Sequence, residues 1–172
     1  MSSETIFRTQ LVLGYAAWLL CFGAYIWPWL RSAGPVAAQR AIATLHSFRF
    51  FGLVFILPGM VGADVPAGFT APTAYGDLAT GLLAMLALAA IRIPALFWSL
   101  VVAFNLVGAA DLLLAYYHAI TLGLPARAGE LGPLYWIPVL YVPALAISHG
   151  IAFYLLLRQV KPAQGRLGGA TS

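Results

Sequence analysis

The feature that most limits how this chain can fold is a set of five apolar runs, at about residues 9–30, 41–62, 73–91, 94–121 and 134–157. Each is long enough to cross a bilayer, which takes about 20 largely apolar residues in a helix rising 1.5 Å per residue. Inside hydrocarbon, only a helix or a closed barrel satisfies its own backbone. The expected fold is therefore an all-α integral membrane protein. Five transmembrane helices would form one antiparallel bundle over residues 1–160, because the connections are short. A Gly-rich polar tail at 161–172 is expected to be disordered.

Composition excludes the soluble alternative. Only 8% of the 172 residues are charged, against about 25% in soluble domains. The first run is too long for a signal-peptide core of about 7–15 residues and ends in Trp27-Pro28-Trp29, so it is read as a retained span. The net charge of +4 comes from dispersed residues with no basic run, which argues against a nucleic-acid partner and for a lipid one. With five spans, Arg31, Arg40, Arg92, Arg158, Lys161 and Arg166 fall on one side, and Arg8 and Arg127 on the other. The positive-inside rule then puts the C-terminus in the cytoplasm and the N-terminus outside. The expected location is a cell membrane of the bacterial inner-membrane kind, crossed several times. The single cysteine, Cys21, lies in an apolar run and reads as a small packing residue.

Two patterns have a structural explanation. Trp27, Trp29, Trp98 and Tyr154 near one boundary, and Tyr75, Tyr116, Tyr117, Tyr135 and Trp136 near the other, form the belts expected where rings meet headgroups; Trp18 lies deeper, as a packing residue. Small residues at intervals of three and four (Gly14, Ala17, Cys21, Ala24; Gly76, Thr80, Ala84; Ala144, Ser148, Ala152) let helices approach closely in lipid.

Six polar side chains inside the runs have no such explanation: His46, Arg49, Asp77, Asn105, Asp111 and His149. A charged group at mid-bilayer costs about 2.5–3.5 kcal/mol on insertion scales, and such groups face the bundle interior and find partners. Depth at 1.5 Å per residue puts His46, Arg49 and His149 in an inner layer, and Asp77 and Asp111 in an outer one, with Asn105 between. His46 and Arg49 share a helix face, and His118 falls at the outer interface. One arginine against two aspartates leaves a charge to be balanced by a proton, a cation or a ligand. Pro58, with Gly59 and Gly62 after it, is expected to bend the second helix, and Pro143 to free the Val139 carbonyl in the fifth.

The expected function is the binding or transport of a small solute or protons at a polar site between helices two to five, in a monomer or a homodimer. A second reading is a structural or assembly subunit whose polar residues only brace the helices. A third is a haem-binding redox protein with His46 and His149 as axial ligands. Otherwise no cofactor and no metal site is expected. No HExxH or GxSxG is present, and Ser148 points away from His149 on its helix, so enzymatic chemistry has no motif to rest on.

Overall fold

The computed structural model describes residues 1–167, with side chains through residue 158. It is 89% helical, and no strand occurs among the described residues. Four helices there are long and apolar enough to cross a membrane: Ser3–Ser32, Ala67–Arg92, Pro94–Thr121 and Ile137–Arg158.

The first is assembled from α1 (Ser3–Cys21), a π-helical turn (Phe22–Ile26) and α2 (Trp27–Ser32). Pro28 has no N–H to give the carbonyl four residues back. The helix widens just before it, and the Trp27 N–H bonds the Phe22 carbonyl five residues back. The same device recurs before Pro143: Ile137–Tyr141 is π-helical, the Val142 N–H reaches the Ile137 carbonyl, and α6 (Val142–Leu167) follows. The carbonyls loosened there are met by α1. A Cβ on Gly14 would run into the Val139 oxygen, so glycine is what lets α1 lie against it. One turn on, the Trp18 indole N–H donates to the Leu140 carbonyl at 2.8 Å. Pro143 therefore frees a carbonyl as expected, and α1 covers it.

The stretch expected as the second span behaves differently. It is α-helical over α3 (Pro35–Ser47) and then tightens to a 3-10 helix over Phe48–Ile56. It is not among the four long apolar helices. Leu57 leaves the helix in extended geometry (φ −76°, ψ 124°), as the residue before a proline prefers. Pro58 and Gly59 (φ 80°) then make the turn after the helix rather than a bend within it. The next helix, α4 (Ala67–Ala89), begins earlier than the expected start at 73, so Pro72 lies inside it and Pro66 caps it. α5 (Pro94–Thr121) matches the expected range. α6 continues to Leu167, so the start of the tail expected to be disordered is helical, and residues 168–172 lie outside the described residues.

Leu124–Tyr135, which takes up the expected connection and the first two residues of the fifth run, is a chain of 3-10 turns interrupted at Arg127 and Gly132 (φ 52°). It turns Leu124, Ala128, Leu131 and Leu134 inward every three or four residues. With Phe7, Phe55, Phe69 and Val139 these close one end of the bundle. A second cluster, including Ile42, Ala84, Phe97, Val101, Phe104 and Ala152, fills the other end. On α3 and its 3-10 extension, on α4, and on α6 with the π-helical turn before it, the polar residues fall in sequence between members of the two clusters.

Candidate functional site

The 3-10 turn after Ser47 decides which side chains enter the bundle. A 3-10 helix has three residues per turn and stacks i over i+3. His46, Arg49, Gly52 and Phe55 accordingly form one buried line, while Phe48 and Phe51 are exposed. Arg49 is fully buried and is the largest of the fully buried side chains.

Arg49 gathers three helices. Its Nε donates to Asp77 Oδ1 at 2.6 Å on α4, and its Nη2 to Asp111 Oδ2 at 2.5 Å on α5. Its Nη1 donates to the Gly108 carbonyl at 3.2 Å and stands 3.3 Å from His149 Nε2 on α6. Both aspartates are met directly, so the two layers expected from helix depth are one network. The difference lies in the long arginine side chain, which reaches across the gap between the layers.

The protons of this network follow from donor counting. A guanidinium has no acceptor, so His149 Nε2 must offer Arg49 a lone pair. The proton of a neutral ring then sits on Nδ1, which stands 2.9 Å from Asn105 Oδ1. Asn105 is oriented to receive it, because its Nδ2 donates to the Val101 carbonyl at 2.8 Å. His149 is thereby assigned as the neutral Nδ1–H tautomer. His46 lies against it with ring centroids 4.0 Å apart, and its Nε2 is 2.9 Å from Ser148 Oγ. Ser148 donates to the Leu145 carbonyl, so its oxygen accepts from His46. His46 Nδ1 is left buried with no partner among the described residues.

All six sequence-predicted residues thus join one contiguous set, whereas His118 does not: it lies near the end of α5 against Tyr117. The two histidine rings lie against each other with 35° between their planes, and His46 Nε2 faces Ser148 while the His149 nitrogens face Asn105 and Arg49. Among the described residues, no group of three His, Cys, Asp or Glu side chains is placed to hold a metal ion.

Three glycines make room for the charged groups. A Cβ on Gly52 would fall on the Asp77 carboxylate, and one on Gly76 on the Asp111 carboxylate. One on Gly108 would come within 2.6 Å of His149 Nε2 and of a Thr80 methyl. Sequence reasoning treated Gly76 as a packing residue and passed over Gly52 and Gly108. The missed signal was the 3-residue spacing of Gly52 from Arg49 and of Gly108 from Asn105 and Asp111.

A cavity of about 360 Å³ ends on Asp77, Asp111 and Thr73 and is otherwise walled mainly by apolar side chains such as Phe7, Leu11, Phe55 and Phe69. A second groove, of about 520 Å³, runs between Phe48, Phe51, Trp136, Leu140 and Tyr141. Asp77 borders both spaces.

A family profile described as a domain of unknown function (DUF8737) matches residues 6–157. No curated protein and no solved structure matches the chain.

Proposed function

The chain belongs to the DUF8737 family, and we propose that it binds a small solute against the Asp77–Asp111 pair and exchanges a proton or cation there. The observation that carries this proposal is a charge count beside an opening. Two carboxylates face one guanidinium in a buried network, and both border the 360 Å³ cavity. A network serving only as a brace would balance its charges, because each unpaired buried charge is costly. The surplus carboxylate therefore calls for a countercharge from outside the chain.

In this proposal the protein crosses the membrane five times as an antiparallel bundle. The N-terminus lies outside, and the C-terminus lies in the cytoplasm of a cell of bacterial type. Residues 35–56 serve as the second span. Thirteen α-helical residues and nine 3-10 residues at about 1.5 and 2.0 Å each reach about 37 Å, beyond the hydrocarbon thickness of about 30 Å. The distribution of Arg and Lys, six against two, supports the orientation. The first helix has only 6% of its apolar window buried within the chain, which leaves its outer face to lipid or to a second copy.

The alternative is a structural or assembly subunit. What favours it is Arg49 itself, wholly buried with all three nitrogens engaged.

The two are separated in vesicles holding a pH-sensitive dye, with a potassium diffusion potential to drive protons inward. Wild type is expected to acidify the lumen faster than protein-free vesicles do, and Asp111→Asn to return to the protein-free rate. Equal rates for wild type and Asp111→Asn would remove the proton-exchange role.

A further inference from the structure

We infer that the cavity takes an amphipathic cation, a molecule with one ammonium head and an apolar body. This rests on the proposed solute-binding role of the network and names its ligand class.

The head group is set by what lines the polar end. Asp77 uses Oδ1, and Asp111 uses Oδ2, to hold Arg49. Asp77 Oδ2 and Asp111 Oδ1 accept no hydrogen bond among the described residues. Thr73, another residue of this lining, adds an observation independent of the carboxylates. Thr73 Oγ1 is buried with no partner among the described residues, in a residue only 8% exposed. The other intramembrane hydroxyls on its helix behave differently: Thr70 donates to the Ala67 carbonyl and Thr80 to the Gly76 carbonyl. A buried hydroxyl left unsatisfied costs about 1–3 kcal/mol, which a bound partner would offset. The two carboxylates and the Thr73 hydroxyl belong to residues at this end of the cavity, and all three can accept from the N–H donors of an ammonium.

The charge agrees. Arg49 and one ammonium would balance Asp77 and Asp111. An anionic head is disfavoured on both counts. Arg49 is absent from the cavity lining and has its nitrogens committed to Asp77, Gly108, His149 and Asp111, so an anion would meet two carboxylates and no free cation at this end. The other charged lining residue, Arg8, is largely exposed and paired with Glu4 at 2.6 Å.

The body is set by the walls. Phe7, Leu11, Phe55, Phe69, Leu112 and Ile137 offer no polar group, and the 360 Å³ volume lies within the range of about 300–1,000 Å³ typical of small-molecule sites. A short alkyl or aryl chain fits these walls; a polyamine or a sugar does not.

The test uses the full chain in lipid nanodiscs, with empty nanodiscs as reference for partitioning. Four probes share one chain length: octylammonium, octyltrimethylammonium, octanol and octanoate. Saturable binding is measured by calorimetry. Octylammonium is expected to bind at least ten-fold tighter than octanol. Octyltrimethylammonium, with the charge but no N–H donor, falls between them, and octanoate does not bind. Asp111→Asn is expected to weaken octylammonium at least ten-fold while octanol is unchanged, which also shows that the variant is folded. Thr73→Val, which leaves the Arg49 network intact, weakens octylammonium several-fold. Octanol equal to octylammonium, or octanoate tighter than both, would overturn the ammonium assignment while leaving solute binding in place. Absence of saturable binding by all four would overturn both.

Discussion

Arg49→Met removes the guanidinium but keeps most of the apolar stem, so it strands two carboxylates without opening a large void. Asp77 and Asp111 lose charged hydrogen bonds of 2.6 and 2.5 Å, with side chains only 10% and 11% exposed. Breaking a buried ion pair by removing one partner costs about 3–5 kcal/mol. The Gly108 carbonyl and His149 Nε2 also lose their donor, at about 1–3 kcal/mol for each buried group left unsatisfied. The combined loss is expected to reach at least about 4 kcal/mol, much of the 5–15 kcal/mol, approximately, that holds a typical fold together. Replacing both sides of a buried pair is far milder than replacing one. The triple variant Arg49→Met/Asp77→Asn/Asp111→Asn should therefore recover most of that loss. Both are measured by titrating SDS into mixed micelles and following tryptophan fluorescence, for which the chain has five reporters. A loss below about 1 kcal/mol for the single variant, or a triple variant no more stable than the single, would refute the claim that these charges depend on one another.

The glycine cradle predicts a graded response. Gly76→Ala and Gly52→Ala place a methyl on the Asp111 and Asp77 carboxylates and should each cost about 1–3 kcal/mol, as overpacking does. Gly23→Ala, with open space around its Cβ, should be neutral or slightly stabilising; the same SDS titration reads all three. Nitrogen-15 shifts of labelled histidine should show His149 neutral and protonated on Nδ1, and Arg49→Met, which removes the donor facing Nε2, should mix the two tautomers. A proton on Nε2 in the wild type would contradict the donor count. Arg49→Lys should be intermediate in stability between wild type and Arg49→Met in the same titration. One ammonium keeps the charge, but it cannot reproduce a fork reaching Asp77, Asp111 and Gly108 at once.

How much of this was legible in the residues can be told from particular positions. The apolar runs identified helices long enough to span a membrane because hydrocarbon leaves the backbone few options. Six polar residues out of place in those runs turned out to be neighbours, since buried polar groups seek one another. The switch to 3-10 geometry at Phe48 was not legible: over ten residues, periods of 3.0 and 3.6 differ by less than one turn, and His46 and Arg49 share a face in either. Backbone depth separated Arg49 from the aspartates for another reason: it leaves out the reach of the arginine side chain. The roles of Gly52 and Gly108 escaped because an absent side chain has no chemistry of its own. They matter only through Asp77 and His149, which fill the space. Ser148 was discounted against its sequence neighbour His149, yet its partner is His46 on another helix. The Leu124–Tyr135 cap hid behind Gly, Pro and charged residues that break its apolar pattern.

The most direct test of the central claim, that Asp111 carries a surplus charge kept for a ligand or proton rather than for the fold, is the stability of Asp111→Asn. The amide oxygen can still accept from Arg49 Nη2, and the network becomes one plus against one minus. The account predicts an unfolding midpoint in the SDS titration equal to or above that of the wild type. A fall matching the loss of a charged hydrogen bond, about 1.5–3 kcal/mol, would contradict it and make the carboxylate a brace.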